Sequence, residues 1–205
     1  KRVKVSKVLM RTSALPIEQI VRQRLAYKFG ITEEKAYLTG DGAKKPLGVF
    51  TVSNDGIGTD RDISNGNTAT AITFDGLLAA KYSLKGQYWK QAEWLFHRNA
   101  VEMITKLKDS YGQYLWRPSV REGEPDRLLG HALNVSEYVP NTFTTGLYVG
   151  MFADFSFYWI ADALDMQMQV LNELYAETNQ IGIIGRKETD GMPVLSEAFA
   201  RIKLG

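Results

Sequence analysis

The sequence predicts an α+β fold, in which one long helix is followed by strands that alternate with shorter helices. Residues 14–38 have a helical composition over a greater length than any other segment. In residues 164–170 Leu, Met, Met and Val alternate with Asp, Gln and Gln, which is typical of a half-buried strand. Residues 92–133 read as a strand, a capped helix, an aromatic turn and the start of a second strand. A long helix and alternating strands in one chain indicate the α+β class.

The amino-terminal part is predicted to hold an edge strand and the long helix. Valines at positions 3, 5 and 8 lie among lysines, which discourage unwanted pairing at a sheet edge. Ser13 and Pro16 suit a helix start, because proline is tolerated in the first turn. We expect the helix to kink at Gly30 and to end at Gly40-Asp41-Gly42. Its apolar residues recur at helical spacing and form one stripe: Ile17, Ile20, Val21 and Leu25.

A polar segment, residues 51–73, is predicted to separate two lobes, because it is rich in Gly, Asn, Asp, Ser and Thr. Residues 74–91 then read as a helix that Gly86 terminates. Residues 92–98 predict a strand with Trp94 and Phe96 on one face.

The next helix is predicted to begin at Asn99, with Glu102 reaching back toward the cap as in a capping box. Its expected buried face consists of Val101, Ile104 and Leu107.

The last third of the sequence is predicted to be mostly strand. Residues 175–191 fit a strand or a helix, and residues 198–204 close the chain as a strand.

The composition excludes several classes of protein. Hydrophobic residues make up 44% of the 205 residues and charged residues 23%, as in ordinary globular chains. The 25 basic and 23 acidic residues give a net charge of +2, which argues against a dedicated nucleic-acid binder. The absence of cysteine excludes disulfides, thiolate zinc sites and a cysteine nucleophile. No apolar run reaches the roughly 20 residues of a membrane span, so no membrane partner is expected.

The sequence opens at Lys1, without a methionine, and its first residues already resemble a strand. We therefore expect a fragment or a processed product.

Two groups of polar residues resemble binding sites only weakly. Residues 40–42 with the lysines at 44 and 45 lack the spacing of a phosphate loop and follow a helix, so a tight turn is favoured. Asp55, Asp60 and Asp62 do not match the ligand spacing of a calcium loop, and we expect them to be solvated.

The histidines, serines and carboxylates form no recognisable catalytic set. His97 and His131 lack the spacing of a zinc site, so both are expected to pack or to lie on the surface. No cofactor, metal ion or enzymatic activity is expected. An aromatic group is able to stack bases or sugars, although a core or subunit interface is the favoured interpretation. Its members are Tyr88, Trp89, Trp94, Phe96, Tyr111, Tyr114 and Trp116.

Several segments occur in a specific order that covers almost the whole chain. The long helix runs into LTGDG and KPLGVF, followed by AEWLFHRNAVEMITKLKDSYGQYLW, PDRLLGHALNVSEYVP, YVGMFADFSFYWIADALDMQMQV and RKETDGMPVLSEAFARIKL. This order resembles the major capsid protein of tailed double-stranded-DNA phages. The family has the Hong Kong-ninety-seven-type capsid fold, which encapsulin shells share.

The resemblance implies a peripheral domain built on a spine helix and an axial domain near the capsomer axis, with a mixed sheet flanked by helices. The peripheral domain would comprise residues 1–72, with the spine helix at 14–38, and would be completed by residues 181–205. Residues 73–180 would form the axial domain, and the terminal strand would return to the peripheral sheet. Family members usually carry an amino-terminal arm and an extended loop before the first strand, so the chain is expected to be amino-terminally truncated or prophage-encoded.

The implied function is that of a structural subunit of an icosahedral phage or prophage capsid. Copies would form pentamers and hexamers that enclose double-stranded DNA without sequence specificity. Scaffold, portal and protease proteins are further expected partners. The expected location is the virion capsid, assembled in the cytoplasm of the bacterial host.

Charged residues on the spine helix and in the loop 117–126 are expected at subunit contacts, where opposite charges fix register. They are Arg22, Arg24, Glu33, Glu34, Arg117, Arg121, Glu122, Glu124, Asp126 and Arg127. For the four residues on the helix, a helix face exposed to solvent is as strongly favoured as a subunit contact. Two other functions stay open: an encapsulin-like shell around protein cargo, and a small enzyme that acts on carbohydrate through the aromatic group.

Overall fold

The computed structural model describes residues 1–117 and 126–205. The helices within them are α1 (Lys7–Thr12), α2 (Ile17–Thr39), α3 (Phe74–Ser83) and α4 (Arg98–Thr105). The strands are β1 (Arg2–Ser6), β2 (Asp62–Ile63), β3 (Glu93–Phe96), β4 (Arg127–Leu128), β5 (His131–Val135), β6 (Tyr148–Ala153), β7 (Tyr158–Leu171), β8 (Gln180–Pro193) and β9 (Phe199–Lys203). The α+β prediction is confirmed.

The predicted long helix is α2. It is continuous across Gly30 and begins three residues later than expected, with Pro16 in the cap position. Ser13 lies outside the helix, where its hydroxyl accepts a hydrogen bond from the N–H of Leu15 at 3.0 Å. The end is as predicted, since Gly40 follows the last helical residue and its N–H donates to the Ala36 carbonyl.

A mixed sheet of six strands forms the main core. Its strand order is β2-β9-β6-β3-β5-β4, in which β2 with β9 and β3 with β5 are the parallel pairs. The predicted alternation in β3 is confirmed, because Trp94 and Phe96 are fully buried and stack with ring centroids 5.8 Å apart. Phe152 of the neighbouring β6 lies 4.4 Å from Trp94, and α3 packs on this sheet. Burial of these large rings supplies much of the hydrophobic stabilisation.

A second sheet has the order β1-β8-β7 and packs one face against α2. An ideal Cβ on Gly185 would lie 2.7 Å from the Phe29 ring, so helix and strand approach closely there. The Tyr37 hydroxyl lies 2.8 Å from the Thr189 hydroxyl further along. The strand predicted at 164–170 lies within the longer β7, but Met166 remains exposed because this edge strand has little core above it.

The pairing of two strands adds detail to the predicted domain arrangement. Residues 158–171 were expected in the axial domain, and they pair as β7 with β8 in the sheet that packs on α2. The terminal strand, expected in the peripheral sheet, lies as β9 between β2 and β6 in the six-stranded sheet. The domain boundaries themselves stay a prediction.

Three expectations at the ends of elements were wrong. Val8 belongs to α1 and not to the edge strand, because the chain turns at Ser6, and the Lys7 N–H donates to the Asn179 carbonyl. The helix expected to end at Gly86 ends at Ser83. Residues 109–116, whose sequence predicts an aromatic turn leading into a strand, form no strand beyond an isolated bridge between Lys108 and Tyr114.

The start of α4 also differs from the prediction. His97 is the cap residue, because its Nδ1 accepts a hydrogen bond from the N–H of Asn99 at 3.1 Å. Glu102 points along the helix to Lys106 instead of back to the cap. Of the predicted buried face, Ile104 is buried completely, whereas Val101 and Leu107 are half-buried.

Among the residues that the structure describes, no helix has both the length and the apolar character that crossing a membrane requires.

Candidate functional site

The least exposed charged group of the six-stranded sheet is Arg201 on β9, whose side chain is completely buried. Its Nε donates to Asp62 Oδ1 at 2.8 Å, and its other nitrogens donate to the carbonyls of Thr51 (3.1 Å) and Gly58 (2.6 Å). The Tyr148 hydroxyl donates to Asp62 Oδ2 at 2.8 Å. This network fastens the polar segment 51–63 to the sheet, so its function is structural.

Sequence reasoning missed this network and wrongly expected Asp62 to be solvated; its side chain is only 7% exposed. The sequence does contain one indication of this network, because Arg201 is the only charged residue within the apolar run Phe199–Ile202. A charge in such a strand needs a buried partner. Burial, followed by the hydrogen bond to Asp62, raises the pKa of Tyr148 to about 12.

Both histidines have structural contacts. His97 is buried at the start of α4, and its Nε2 lies 3.3 Å from a carboxylate oxygen of Glu137. The Nδ1 of His131 lies 3.1 Å from the Ala92 carbonyl, and burial lowers the pKa of this imidazole. No group of three or more potential metal ligands occurs in residues 1–117 and 126–205.

The predicted aromatic group divides between core and surface. Tyr88, Trp94 and Phe96 are buried in the main core, with Trp89 and Trp116 half-buried beside it. Tyr111 and Tyr114 are 88% and 49% exposed. The core interpretation therefore holds for most of the group, while the two tyrosines lie on the surface.

The predicted contact residues of the helix have different surroundings. Arg22 pairs with Glu18 at 2.7 Å on the exposed side of α2. Glu33 pairs with Lys187 of β8 at 2.8 Å, and both side chains are less than one-fifth exposed. The hydrogen bond from Lys187 to Glu33 raises the pKa of this lysine.

Glu34 and Arg24 complete the helix set. Glu34 accepts a hydrogen bond from the Ser136 hydroxyl at 2.5 Å, which joins α2 to the chain that follows β5. Arg24 is exposed, and it borders a groove between α2 and β1. Two of the helix residues therefore connect parts of one subunit, and Arg24 is available to a neighbour.

The predicted loop is described only at its ends. Arg117 and Arg127 are exposed, and the Trp116 Nε1 donates to the Arg127 carbonyl at 2.7 Å, which holds the ends together. The carbonyl of Asp126 accepts the N–H of Leu133 at 2.9 Å. The remaining predicted contact residues lie outside the described residues: Arg121, Glu122 and Glu124.

Comparison with known proteins identifies the fold. The model of the phage capsid family matches residues 2–204. The capsid of an empty GTA particle, computed with C5 symmetry, is similar to all of this chain and to 72% of its own, with 26% identity and a TM-score of 0.86. The Gordonia phage Cozz structure is similar over 100% of this chain and 69% of its own, with 13% identity and a TM-score of 0.68.

A holo-SrpI encapsulin complex from Synechococcus elongatus PCC 7942 has the same TM-score of 0.68 at 14% identity, over 99% of this chain and 71% of the encapsulin chain. A likeness at that identity shows the fold alone. No curated protein matches the sequence. The predicted resemblance is confirmed over the full length of the sequence: the chain belongs to the phage capsid family and is a structural subunit of a capsid shell.

Proposed function

We propose that the protein assembles into pentamers and hexamers that close an icosahedral shell around double-stranded DNA. The observation that carries this proposal is the match along the whole chain to a capsid subunit, at 26% identity and a TM-score of 0.86. Head-to-tail contacts generate rings when the rotation closes. A formal net charge of only +2 suits a shell that encloses DNA without gripping particular sequences.

The two sheets suggest how the subunit is arranged in a ring. We assign the six-stranded sheet to the axial domain, and α2 with the three-stranded sheet to the peripheral domain. The loop between Arg117 and Arg127 is assigned to the ring axis. Its carboxyl-terminal end enters β4, which lies at the edge of the six-stranded sheet.

The wider partners follow from the same assignment. A scaffold, a portal and a maturation protease are the expected partners of a shell that is filled after it closes, and assembly would take place in the bacterial cytoplasm. Assembly by the subunit alone is the first property to test.

Electron microscopy of the protein, expressed from its complete gene without other phage genes, tests the proposal. We expect rings with five and six subunits together with closed shells, and sedimentation should show the matching heavy species. A protein that stays monomeric at all salt and protein concentrations would contradict the proposal.

An encapsulin-like compartment is the second candidate, supported by the fold that the two proteins share. The contents of shells purified from the natural host distinguish the candidates. Nuclease-resistant double-stranded DNA is expected for a capsid, whereas one co-purifying protein in place of DNA would favour the compartment.

A further inference from the structure

The open face of the three-stranded sheet carries its charges in separate zones. The side chains of β8 that face away from α2 are Arg186, Glu188, Asp190 and Met192, and Val194 follows directly after the last strand residue, Pro193. All five are exposed, and Met192 lies opposite Trp159 of β7, which is 64% exposed. An acidic pair is thus followed directly by an apolar patch. We call Glu188, Asp190, Met192, Val194 and Trp159 the acidic strip.

A groove of opposite character lies at the other end of the same sheet, between β1 and α2. Its floor is apolar and is formed by Val3, Ile20, Val21 and Leu25. Its rim is entirely basic and includes Arg2, Arg24 and Lys28, and its volume is about 440 Å³. We call it the basic groove. Clefts of about 300–1,000 Å³ are large enough to hold a buried ligand group.

Of the charged groups in the two features, Arg2 lies 5.6 Å from the Tyr175 ring centroid, and the Asp190 Oδ1 accepts a hydrogen bond from the Gly191 N–H at 2.8 Å. Arg24, Lys28, Glu188 and Asp190 form no ion pair with any other described residue, while Arg22, Glu33 and Lys187 nearby are all paired. The two features are too far apart to meet in one molecule. Arg2 is level with Ile184, so at about 3.3 Å per residue Glu188 lies about 13 Å further along the strand, and Met192 opposite Trp159 lies about 26 Å further.

We propose that the basic groove of one subunit receives the acidic strip of the next subunit. The apolar patch with Trp159 would lie on the floor of Val3, Ile20 and Val21, and Glu188 and Asp190 would face Arg24 and Lys28. Because different surfaces meet, the contact is heterologous, and its repetition closes a ring. The inference rests on the proposed function and names the surfaces that form the ring.

An apolar centre with complementary charges around it is suited to a contact between subunits. Aromatic anchors that fill a partner's groove carry most of the binding energy in typical interfaces. Opposite charges at the rim add specificity, and like charges placed there repel. Polyanionic DNA is another occupant that a basic groove attracts, and the experiments below separate it from a second subunit.

Charge reversal provides the first test, with the complete protein. Groove variant Arg24→Glu/Lys28→Glu and strip variant Glu188→Lys/Asp190→Lys are each expected to lower the fraction of protein in rings and shells about tenfold or more. The variant with all four changes should recover assembly. Control variant Lys35→Glu/Lys90→Glu, which makes the same change in net charge as the groove variant at exposed lysines outside both features, should assemble normally.

A mixture of the two reversed proteins is a sharper test. Groove-reversed subunits have two acidic surfaces and strip-reversed subunits have two basic ones, so the contact forms only where they alternate. Alternation closes in a ring of six and fails in a ring of five. We therefore expect the mixture to form hexamers without pentamers, as counted in electron micrographs. Trp159→Ala should weaken assembly of the otherwise unmodified protein.

The outcomes separate this inference from the proposed function. If the unmodified protein assembles and the groove and strip variants do so equally well, the contact is disproved and the capsid assignment stands. A groove variant that assembles normally but retains less DNA would show that the groove faces nucleic acid, which also overturns the contact. Absence of rings and shells for the unmodified protein would contradict the proposed function itself. Circular dichroism checks that each variant is folded.

Discussion

At the scale of single residues, the buried guanidinium of Arg201 shows why a charge occurs in a fully buried strand. Its hydrogen bonds all go to oxygens: the Asp62 carboxylate and the carbonyls of Thr51 and Gly58. A buried ion pair contributes little compared with apolar side chains, yet removing one partner is strongly destabilising. The pair therefore specifies where the polar segment attaches to the sheet.

Replacement of the arginine tests this role. Arg201→Met leaves the Asp62 carboxylate buried without its partner, and we expect the free energy of unfolding to fall by about 3–5 kcal/mol. Urea denaturation of the unassembled protein measures it. The matched change at an exposed pair, Lys85→Met opposite Glu197, should have little effect. Arg201→Met with Asp62→Leu should be more stable than Arg201→Met alone; equal or lower stability would argue against the pair.

His131 predicts a pH dependence. Burial lowers the pKa of this imidazole in the folded protein, so the unfolded chain binds the proton more readily. The resulting stability is present above the usual histidine pKa of about 6.5 and is lost as the pH falls from there through the folded pKa. The urea midpoint should therefore fall between pH 7 and pH 5 less steeply in His131→Gln than in the unmodified protein. Parallel profiles would show that His131 makes no such contribution.

At the scale of elements, α2 shows how much local sequence determines. Its length and its end at Gly40 were predictable, because helical composition and a terminating glycine are local signals. Its surroundings were not. Only Leu25 of the predicted apolar stripe is buried, and Ile20 is 37% exposed, because a stripe does not state how much of it a partner covers. The cap at His97 was also missed, since Asn99 has the stronger intrinsic preference for that position.

Two glycines in or against α2 should respond in opposite ways to the same substitution. Gly30 lies in the helix with nothing within 4 Å of an added Cβ, so Gly30→Ala should stabilise the protein by about 1 kcal/mol. Gly185 lies under the Phe29 ring, where the added Cβ would be only 2.7 Å from a ring carbon. Gly185→Ala should destabilise it by about 1–3 kcal/mol. Thermal or urea unfolding measures both; a destabilising Gly30→Ala would mean that the helix needs flexibility there.

At the scale of the whole molecule, the two sheets differ in how completely they are buried. β6 and β9 are buried almost throughout, whereas most of β7 is exposed and its outer edge pairs with no other strand among the described residues. The fold class and the family resemblance were predictable, because the order of helical, strand and turn segments along the sequence indicates both. The sheet positions of β7 and β9 were not, because strand pairing depends on contacts between residues far apart in sequence.

Hydrogen exchange of the unassembled protein and of the shell tests this difference. Amides of β6 and β9 should exchange slowly in both states, because the strands lie inside the sheet and are buried. Amides of β7 and β8 should exchange faster in the unassembled protein and become protected in the shell. Unchanged exchange of the β7–β8 hairpin on assembly would mean that it stays in solvent.

The position of β9 has a consequence for biosynthesis. Every other strand of the six-stranded sheet precedes β9 in the chain, yet β9 lies between β2 and β6. Until residues 199–203 leave the ribosome, β2 has no neighbouring strand, β6 has an open edge and Asp62 has no arginine to neutralise it. Translation proceeds at roughly 5–20 residues per second. A nascent subunit thus cannot complete this sheet while β9 is still in the exit tunnel.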